Sequence, residues 1–452
     1  MVPEQPSFTV GRVRSHTPAI SRVFTARGIM KTTALLVLAL ALLVATRVPA
    51  DTKVTLKMGD NLPDRTNTWG AVVEQINAEF KAANPGAEIV TESYPDQPYQ
   101  QKIKIYATAK QLPDVFKFWS VTSLLKPLVD GGFVEPLDRN EFEKLDYLPG
   151  ALESNVYSGK LYGIPVSADL WVIYYNKKLF KDAGVDRPPA TLDELIALAA
   201  KFKARGLVPI VTDGKDAWPL CVTFDQLAWR ISGDATLPAR ALARKARFTD
   251  PVFVQAATEL VRMVKAGLFQ DDLMVTDYGA ARSLFGQGRA AMYLMGSWEL
   301  GLGADETFSN AFRTHLDAFK FPLVANGKGK IDDLFAWYGG NYVVSASSKN
   351  KLLGKKYLQF YARRFPALAW DKQAAMPAQR VDARPGDTAV ARTLLRIASE
   401  AKTTSGTPSL DLATPRFKED MENAMRELAS GLISPEAFTR KVEAAAEKAA
   451  RR

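Results

Sequence analysis

Side chains able to do chemistry are unevenly supplied in this 452-residue sequence. There is one cysteine, Cys221, and there are two histidines, His16 and His315. A lone thiol closes no internal disulfide and builds no multi-thiolate metal site. His16 falls in an N-terminal leader region, so His315 is the sole imidazole of the rest. Asp60 and Asp169 could be set up as the two carboxylates of a glycosidase, yet no signature around them supports cleavage. The indoles are more informative. Several of the eight tryptophans sit at element ends and not at mid-core positions. Such rings offer flat apolar platforms. Carboxylates accept from two hydroxyls at once, and these charge-assisted bonds are strong where water is excluded. Trp119, Trp298, Trp337 and Tyr338 with Asp60 and Asp169 therefore suit a ligand that has hydroxyl edges and apolar faces. Gly339 and Gly340 follow Tyr338 and allow close backbone approach.

The elements that must position these residues follow from periodicity. Lys53–Met58 alternates polar and apolar residues and predicts a strand, which Gly59-Asp60-Asn61 and Pro63 end. Trp69, Val72, Val73, Ile76 and Phe80 recur at three and four, predicting a helix over 68–83 that Asn84-Pro85-Gly86 stops. A strand over 88–93, a helix over 99–110 and a strand over 115–119 continue the alternation. This indicates an α/β layer with a mostly parallel sheet. Residues 170–176 begin a second such system. Thr191-Leu192-Asp193-Glu194 opens a capped helix running to about Arg205, and 208–212 is strand-like. The stretch to about Ala318 reads as mainly helical, broken at 290–294. A strand over 342–345, a helix over 352–363 and a helical tail over 416–450 complete the chain. The β runs near 164–172 and 336–344 carry no Gly/Ser linker around them, so two α/β lobes joined by strands fit better than two beads on a string. A cleft between such lobes is a natural ligand site.

Composition agrees with a soluble globular protein, 47% of residues being hydrophobic and 24% charged, and the length suggests two or three domains. The formal net charge is +10. Six basic residues against Glu4 place half of that surplus within residues 1–50. No dense Lys/Arg run interleaved with aromatics argues for nucleic acid. From Met30, Lys31 supplies a positive start, 34–45 is an apolar run, and Val48-Pro49-Ala50 supplies small residues at a cleavage site. This predicts a signal peptide over 30–50, too short to span a membrane. Residues 1–29 are expected to be a spurious upstream extension. No cysteine follows the apolar run, so the expected location is periplasmic without a lipid anchor.

Several segments, taken in order, carry a resemblance. They are Leu112-Pro113-Asp114-Val115, Gly131 to Asp138, Gly159 to Pro165, Tyr174-Tyr175-Asn176-Lys177 with Leu179-Phe180, Ala183-Gly184, Pro189 to Leu195, Phe285 to Met292, Gly296-Ser297-Trp298, and Gly339-Gly340 leading to Ser348-Lys349-Asn350. Over nearly the whole mature chain the sequence resembles the extracellular solute-binding proteins of ABC sugar importers, the family of maltose- and multiple-sugar-binding proteins. The resemblance implies a two-lobed periplasmic binding protein fold, each lobe a sheet flanked by helices. Three hinge crossings follow from it, near 166–168, 336–338 and 376–379. It gives lobe 1 residues 51–166 plus 338–376, and lobe 2 residues 167–337 plus 377–452. It implies capture of a mono- or oligosaccharide between the lobes, without catalysis or cofactor. The expected partners are ABC permease transmembrane subunits and, through them, the ATPase; the chain itself is expected to be a monomer. Asp60, Trp119 and Asp169 match ligand contacts in the family, and Trp298 matches the stacking aromatic of the second lobe. Trp337, Tyr338 and Gly339 sit at the second crossing.

Other readings stay open at this level. The same fold could take a polyol, a glycerophosphodiester or an acidic sugar, the last two needing arginines in the cleft. A secreted carbohydrate-active enzyme is the competitor from another class. Adjacent Tyr174 and Tyr175 invite comparison with iron-binding relatives, but they lie in the family's strand pattern, where one ring faces the core. Asp225, Trp171 and Trp229 are expected in core or surface positions.

Overall fold

The computed structural model describes residues 53–451. The expected signal peptide over 30–50 and the extension over 1–29 lie outside the described residues. In chain order the first elements are β1 (Val54–Asp60), α1 (Thr68–Ala83), β2 (Ala87–Ser93), α2 (Asp96–Ala109) and β3 (Val115–Trp119). Two short strands follow, β4 (Val134–Glu135) and β5 (Ile164–Pro165). Then come β6 (Asp169–Asn176), α3 (Leu192–Lys203), β7 (Val208–Val211), α4 (Trp218–Ser232), β8 (Ala290–Gly296) and β9 (Leu316–Lys320). The chain closes through β10 (Ala336–Trp337), β11 (Gly340–Ser345), α5 (Lys351–Asp371), α6 (Pro415–Ala429) and α7 (Pro435–Ala450).

Two sheets organise these elements. The first has the order β2-β1-β3-β11-β4, with β5 also paired to β11. Its side chains alternate between two cores, as the period of a strand requires. Leu56, Met58 and Val115 face α1 and α5, where Phe80 meets Tyr357 at 5.1 Å and Trp69 meets Phe365 at 5.5 Å between ring centroids. Phe116, Phe118 and Val343 face Tyr99 and Ile103 of α2. The second sheet has the order β9-β6-β8-β7, with β10 paired to β6, and is buried in the larger core. Helix α3 starts where its sequence says: the Thr191 hydroxyl accepts from the Glu194 amide at 3.2 Å.

The expectation of a mostly parallel sheet holds for the three strands it was drawn from and is corrected for the sheet as a whole. β1 runs parallel to β2 and β3, and β7 parallel to β8. However, β11 is antiparallel to β3, β4 and β5, and β6 is antiparallel to β8, β9 and β10. The reason is topological. β6 and β11 enter their sheets directly from the other one, with no helical crossover to turn the chain and make them parallel.

The chain passes between the sheets at three places. Pro165 of β5 pairs in the first sheet, and Asp169 opens β6 in the second. Trp337 of β10 belongs to the second, and Gly340 opens β11 in the first. Ala374 and Ala375 pack in the first core and Met376 in the second. The first and third passages are stitched together, because the Ala168 amide donates to the Met376 carbonyl at 3.0 Å and the Ala378 amide to the Val166 carbonyl at 3.1 Å.

Candidate functional site

The strand ends of the first sheet form one side. Asp60 closes β1 and is fully buried. One carboxylate oxygen accepts from the Leu62 amide at 3.1 Å and from the Ser93 hydroxyl. The other accepts from the Arg65 guanidinium at 2.7 Å, and Arg65 is also held by Glu74 at 2.7 Å. Asp60 thus anchors the loop after β1, with both oxygens engaged inside the protein. Asn61 is part-exposed at the start of that loop and accepts from Lys117 Nζ at 2.8 Å. Lys117 comes up beneath it from β3. Burial lowers its pKa, while the charges of Asp60, Asp96 and Asp169 pull the other way. Its Nζ lies 4.5 Å from the centroid of Trp69 and 5.4 Å from that of Trp119, so both rings carry a buried cation against a face. Trp119, the last residue of β3, is part-exposed.

The crossings supply the middle. Asp169 begins β6 directly opposite Trp337. It is only 6% exposed, and its Oδ1 has no hydrogen-bond partner. Burial raises its pKa to about 6, against the opposing pull of Ser167, Lys117 and the Gly339 amide. Gly339 is dictated by geometry: a Cβ there would run into Asp169 Oδ2 and stand 2.9 Å from Trp337 Nε1. Backbone and carboxylate approach each other as only glycine permits. Ser120 locks this crossing to the end of β3. Its amide donates to the Gly339 carbonyl at 3.1 Å and its hydroxyl to the Tyr338 carbonyl at 3.0 Å. The Tyr338 hydroxyl donates to the Pro149 carbonyl at 2.9 Å.

The second sheet contributes an aromatic cluster. The Gly296-Ser297-Trp298 turn follows β8, and the Ser297 hydroxyl ties it to the first crossing. That hydroxyl accepts from the Leu170 amide at 2.9 Å and donates to the Ala168 carbonyl at 3.1 Å. A Cβ on Gly296 would collide with the Trp298 ring. Trp298 lies 5.8 Å from Trp337, 5.9 Å from Trp218 and 6.2 Å from Trp171, centroid to centroid. It packs against the cores of both sheets at once. Trp171 is buried, whereas Trp218, Trp298 and Trp337 keep part of their surface exposed.

The structure therefore brings Asp169, Trp298, Trp337 and Gly339 into one constellation, with Tyr338 and Trp119 linked to it through Ser120. Asp60 lies beneath the loop after β1 and not at its surface. Trp218, Lys117 and Asn61 are additions the sequence reading did not single out. Trp218 had a usable signal, a Trp-Pro pair opening a helix just past a strand end. Lys117 had none, since a lysine in an apolar strand reads as pointing to solvent. Tyr174 and Tyr175 part company as strand neighbours do. Tyr174 is buried and donates to the Gly296 carbonyl at 3.2 Å, while Tyr175 packs on Phe180 and Phe319. Trp229 and Asp225 are buried in α4. A surface cavity of about 300 Å³ lined by Phe269, Met274 and Ser430 shares no residue with the constellation.

Comparison with known proteins bears on the fold and the family. A binding protein of Brucella abortus (strain 2308) is 37% identical over 139 residues, which is 30% of this chain and 33% of that relative. The match thus spans about a third of that relative's length. The multiple sugar-binding protein of Streptococcus mutans is 24% identical over 302 residues, 64% of this chain and 67% of the relative. A solved structure from work on xylan utilization by the thermophilic bacterium Caldanaerobius polysaccharolyticus superposes with a TM-score of 0.79 at 27% identity, covering 86% of this chain and 99% of that one. The two-lobed fold of periplasmic binding proteins is thereby shared. The model of one family, bacterial extracellular solute-binding protein, matches residues 60–364, and the chain belongs to that family.

Proposed function

We propose that the chain is the substrate-binding subunit of an ABC importer and captures an uncharged mono- or oligosaccharide between its lobes. The observation that carries this reading is the set of part-exposed indoles, Trp298, Trp337 and Trp218, gathered beside the buried carboxyl of Asp169. Indole faces suit the apolar face of a sugar ring, and a carboxyl with an unpartnered oxygen suits its hydroxyls. Of the two cations noted beside this constellation, Arg65 is paired with the carboxylates of Asp60 and Glu74, and Lys117 is buried beneath Asn61. One guanidinium neutralised and one ammonium buried favour a neutral sugar over a phosphodiester or an acidic sugar. The engagement of Asp60 by Arg65 also removes one of the two carboxylates a glycosidase would need, so the reading is binding without cleavage.

The ligand contacts we propose are Trp119, Asp169, Trp298, Trp337, Tyr338 and Gly339, with Trp218 added and Asp60 acting through Arg65 and the loop after β1. Lobe 1 is read as 51–166 plus 338–376, and lobe 2 as 167–337 plus 377–452. The pairing of β5 and β11 in one sheet and of β6 and β10 in the other supports this division. The predicted signal peptide supports a periplasmic location, and we read the protein as a monomer without a lipid anchor that meets its permease subunits at the membrane. A thermal-shift screen of the mature protein against mono-, di- and trisaccharides, polyols and sn-glycerol 3-phosphate tests the reading. A solute that binds only the folded state raises the midpoint by mass action. A neutral saccharide is expected to raise it. A rise with glycerol 3-phosphate and with no saccharide would refute the proposal.

A further inference from the structure

Trp298 stands between two anchored neighbours. On one side the Ser297 hydroxyl ties the chain to the first crossing. On the other, Glu299 is buried against the helix Tyr278–Gly286. Tyr278 and Arg282 lie one turn apart on that helix and so share a face. The Tyr278 hydroxyl donates to Glu299 Oε1, and Arg282 Nε donates to Glu299 Oε2 at 2.9 Å. The other end of the guanidinium reaches past the turn. Arg282 Nη2 donates to Oδ2 of the buried Asp305 at 2.8 Å. The second Asp305 oxygen accepts from the Thr307 amide at 3.0 Å and from the Thr307 hydroxyl at 2.6 Å.

One arginine therefore brackets the turn Ser297–Gly303 that carries Trp298. Burial works against its charge, and Glu299 and Asp305 outweigh burial, so its pKa stands above the ordinary guanidinium value. A planar guanidinium holds two carboxylates in fixed directions at once, which the point charge of an ammonium does not. Without it two buried carboxylates lose their cation, and an unpaired buried charge is costly enough to move the turn toward water.

We propose that Arg282 and Tyr278 are positioning residues for solute capture, setting through Glu299 the direction in which Trp298 presents its ring. This rests on the reading of Trp298 as a solute platform. Neither residue has to touch the solute. A platform works only when its face is held within about 0.5 Å of its productive place, so a displaced turn loses contact along the whole indole.

Fluorine NMR of the mature protein labelled with fluorotryptophan, without solute, tests the positioning. The Trp298 resonance is assigned by Trp298→Phe, and that of Trp119, which packs on a different core, by Trp119→Phe. Arg282→Met and Tyr278→Phe should each shift the Trp298 resonance and leave that of Trp119 in place, with the far-UV circular dichroism of the wild type. Calorimetry with the best saccharide of the screen should then show affinity lowered about tenfold in Arg282→Met, the lower end of what loss of an orienting neighbour costs at metal sites. The loss should be smaller in Arg282→Lys, which keeps the charge. A Trp298 resonance unmoved in both variants would overturn the inference, and so would an unmoved one in Tyr278→Phe if Arg282→Met fails to fold. A Trp119 resonance that moves with it would overturn it too, because the network would then serve the fold at large. A moved Trp298 with unchanged affinity would bear out the positioning and refute the platform reading instead.

Discussion

At the scale of residues, the fold encloses carboxyls whose ionisation it resists, Asp169 of the candidate site among them. Asp225, fully enclosed in α4, has its pKa raised by burial to about 7, the bonds from Ser409 only partly offsetting this. Asp96 and Asp169 are raised to about 6, again first by burial. The sign of the stability effect follows. In the unfolded chain these groups ionise near 3.8. Between that value and about 7 the folded protein holds more protons than the unfolded one, so stability falls as pH rises through this window and levels off above it. Asp225→Asn keeps the shape and can still accept from the Ser409 amide. We predict that the melting midpoint of the wild type declines from pH 5 to pH 7 and that the variant declines less. Equal slopes would show that Asp225 ionises as freely in the fold as out of it.

Elements set these residues in place, and the hinge strand β10 is the critical one. Arg230 of α4 is 2% exposed and holds the approach to that strand. Its guanidinium donates to the carbonyls of Lys330, Asp333 and Phe321 at 2.5, 2.9 and 2.9 Å. Burial draws its pKa down to about 10, with Asp333 and Asp332 resisting. Arg230→Met fills similar space but takes the guanidinium from the buried carbonyls of Asp333 and Phe321, while the Lys330 carbonyl keeps the Asp333 amide. At about 1–3 kcal/mol for each unsatisfied group, the loss should be about 2 kcal/mol or more in chemical denaturation. A loss under about 1 kcal/mol would mean that water replaces the guanidinium. Such a clamp is invisible in sequence, where Arg230 lies near the end of a helix and reads as a surface residue. What periodicity could reveal, it did: α1 was legible because Trp69, Val72, Val73, Ile76 and Phe80 bury one stripe. Strand direction was not, because antiparallel β6 and β11 differ from parallel strands only in what precedes them. In the candidate site, Trp298 was singled out through the resemblance carried by the Gly-Ser-Trp turn, and Gly339 through the glycine pair after Tyr338. The saturation of Asp60 by Arg65 and Ser93 was not, because it depends on residues brought together by the loop after β1.

For the whole molecule, the account requires export, a cleft and a neutral solute. Export makes its own prediction. A chain started at Met30 should reach the periplasm and be recovered beginning at Asp51 by mass spectrometry; retention of residues 31–50 would contradict the leader assignment. The cleft is argued from the three passages of chain between the sheets and from Trp298, which packs on both cores. Any solute contacting Trp119 at the end of β3 and Trp298 beyond β8 touches both sheets, and so binds one arrangement of the lobes better than another. That differential contact is the condition for shifting their population.

Titration calorimetry of the best saccharide from the screen against wild type and Trp298→Ala tests the central claim most directly. Removing a stacked aromatic platform costs about 1–3 kcal/mol in comparable aromatic stacking. The account predicts a loss of about tenfold to hundredfold in affinity, with the melting midpoint of the solute-free variant nearly unchanged. Unchanged affinity with a steep fall in melting point would contradict it, because Trp298 would then be a core residue joining the lobes and the solute would bind elsewhere.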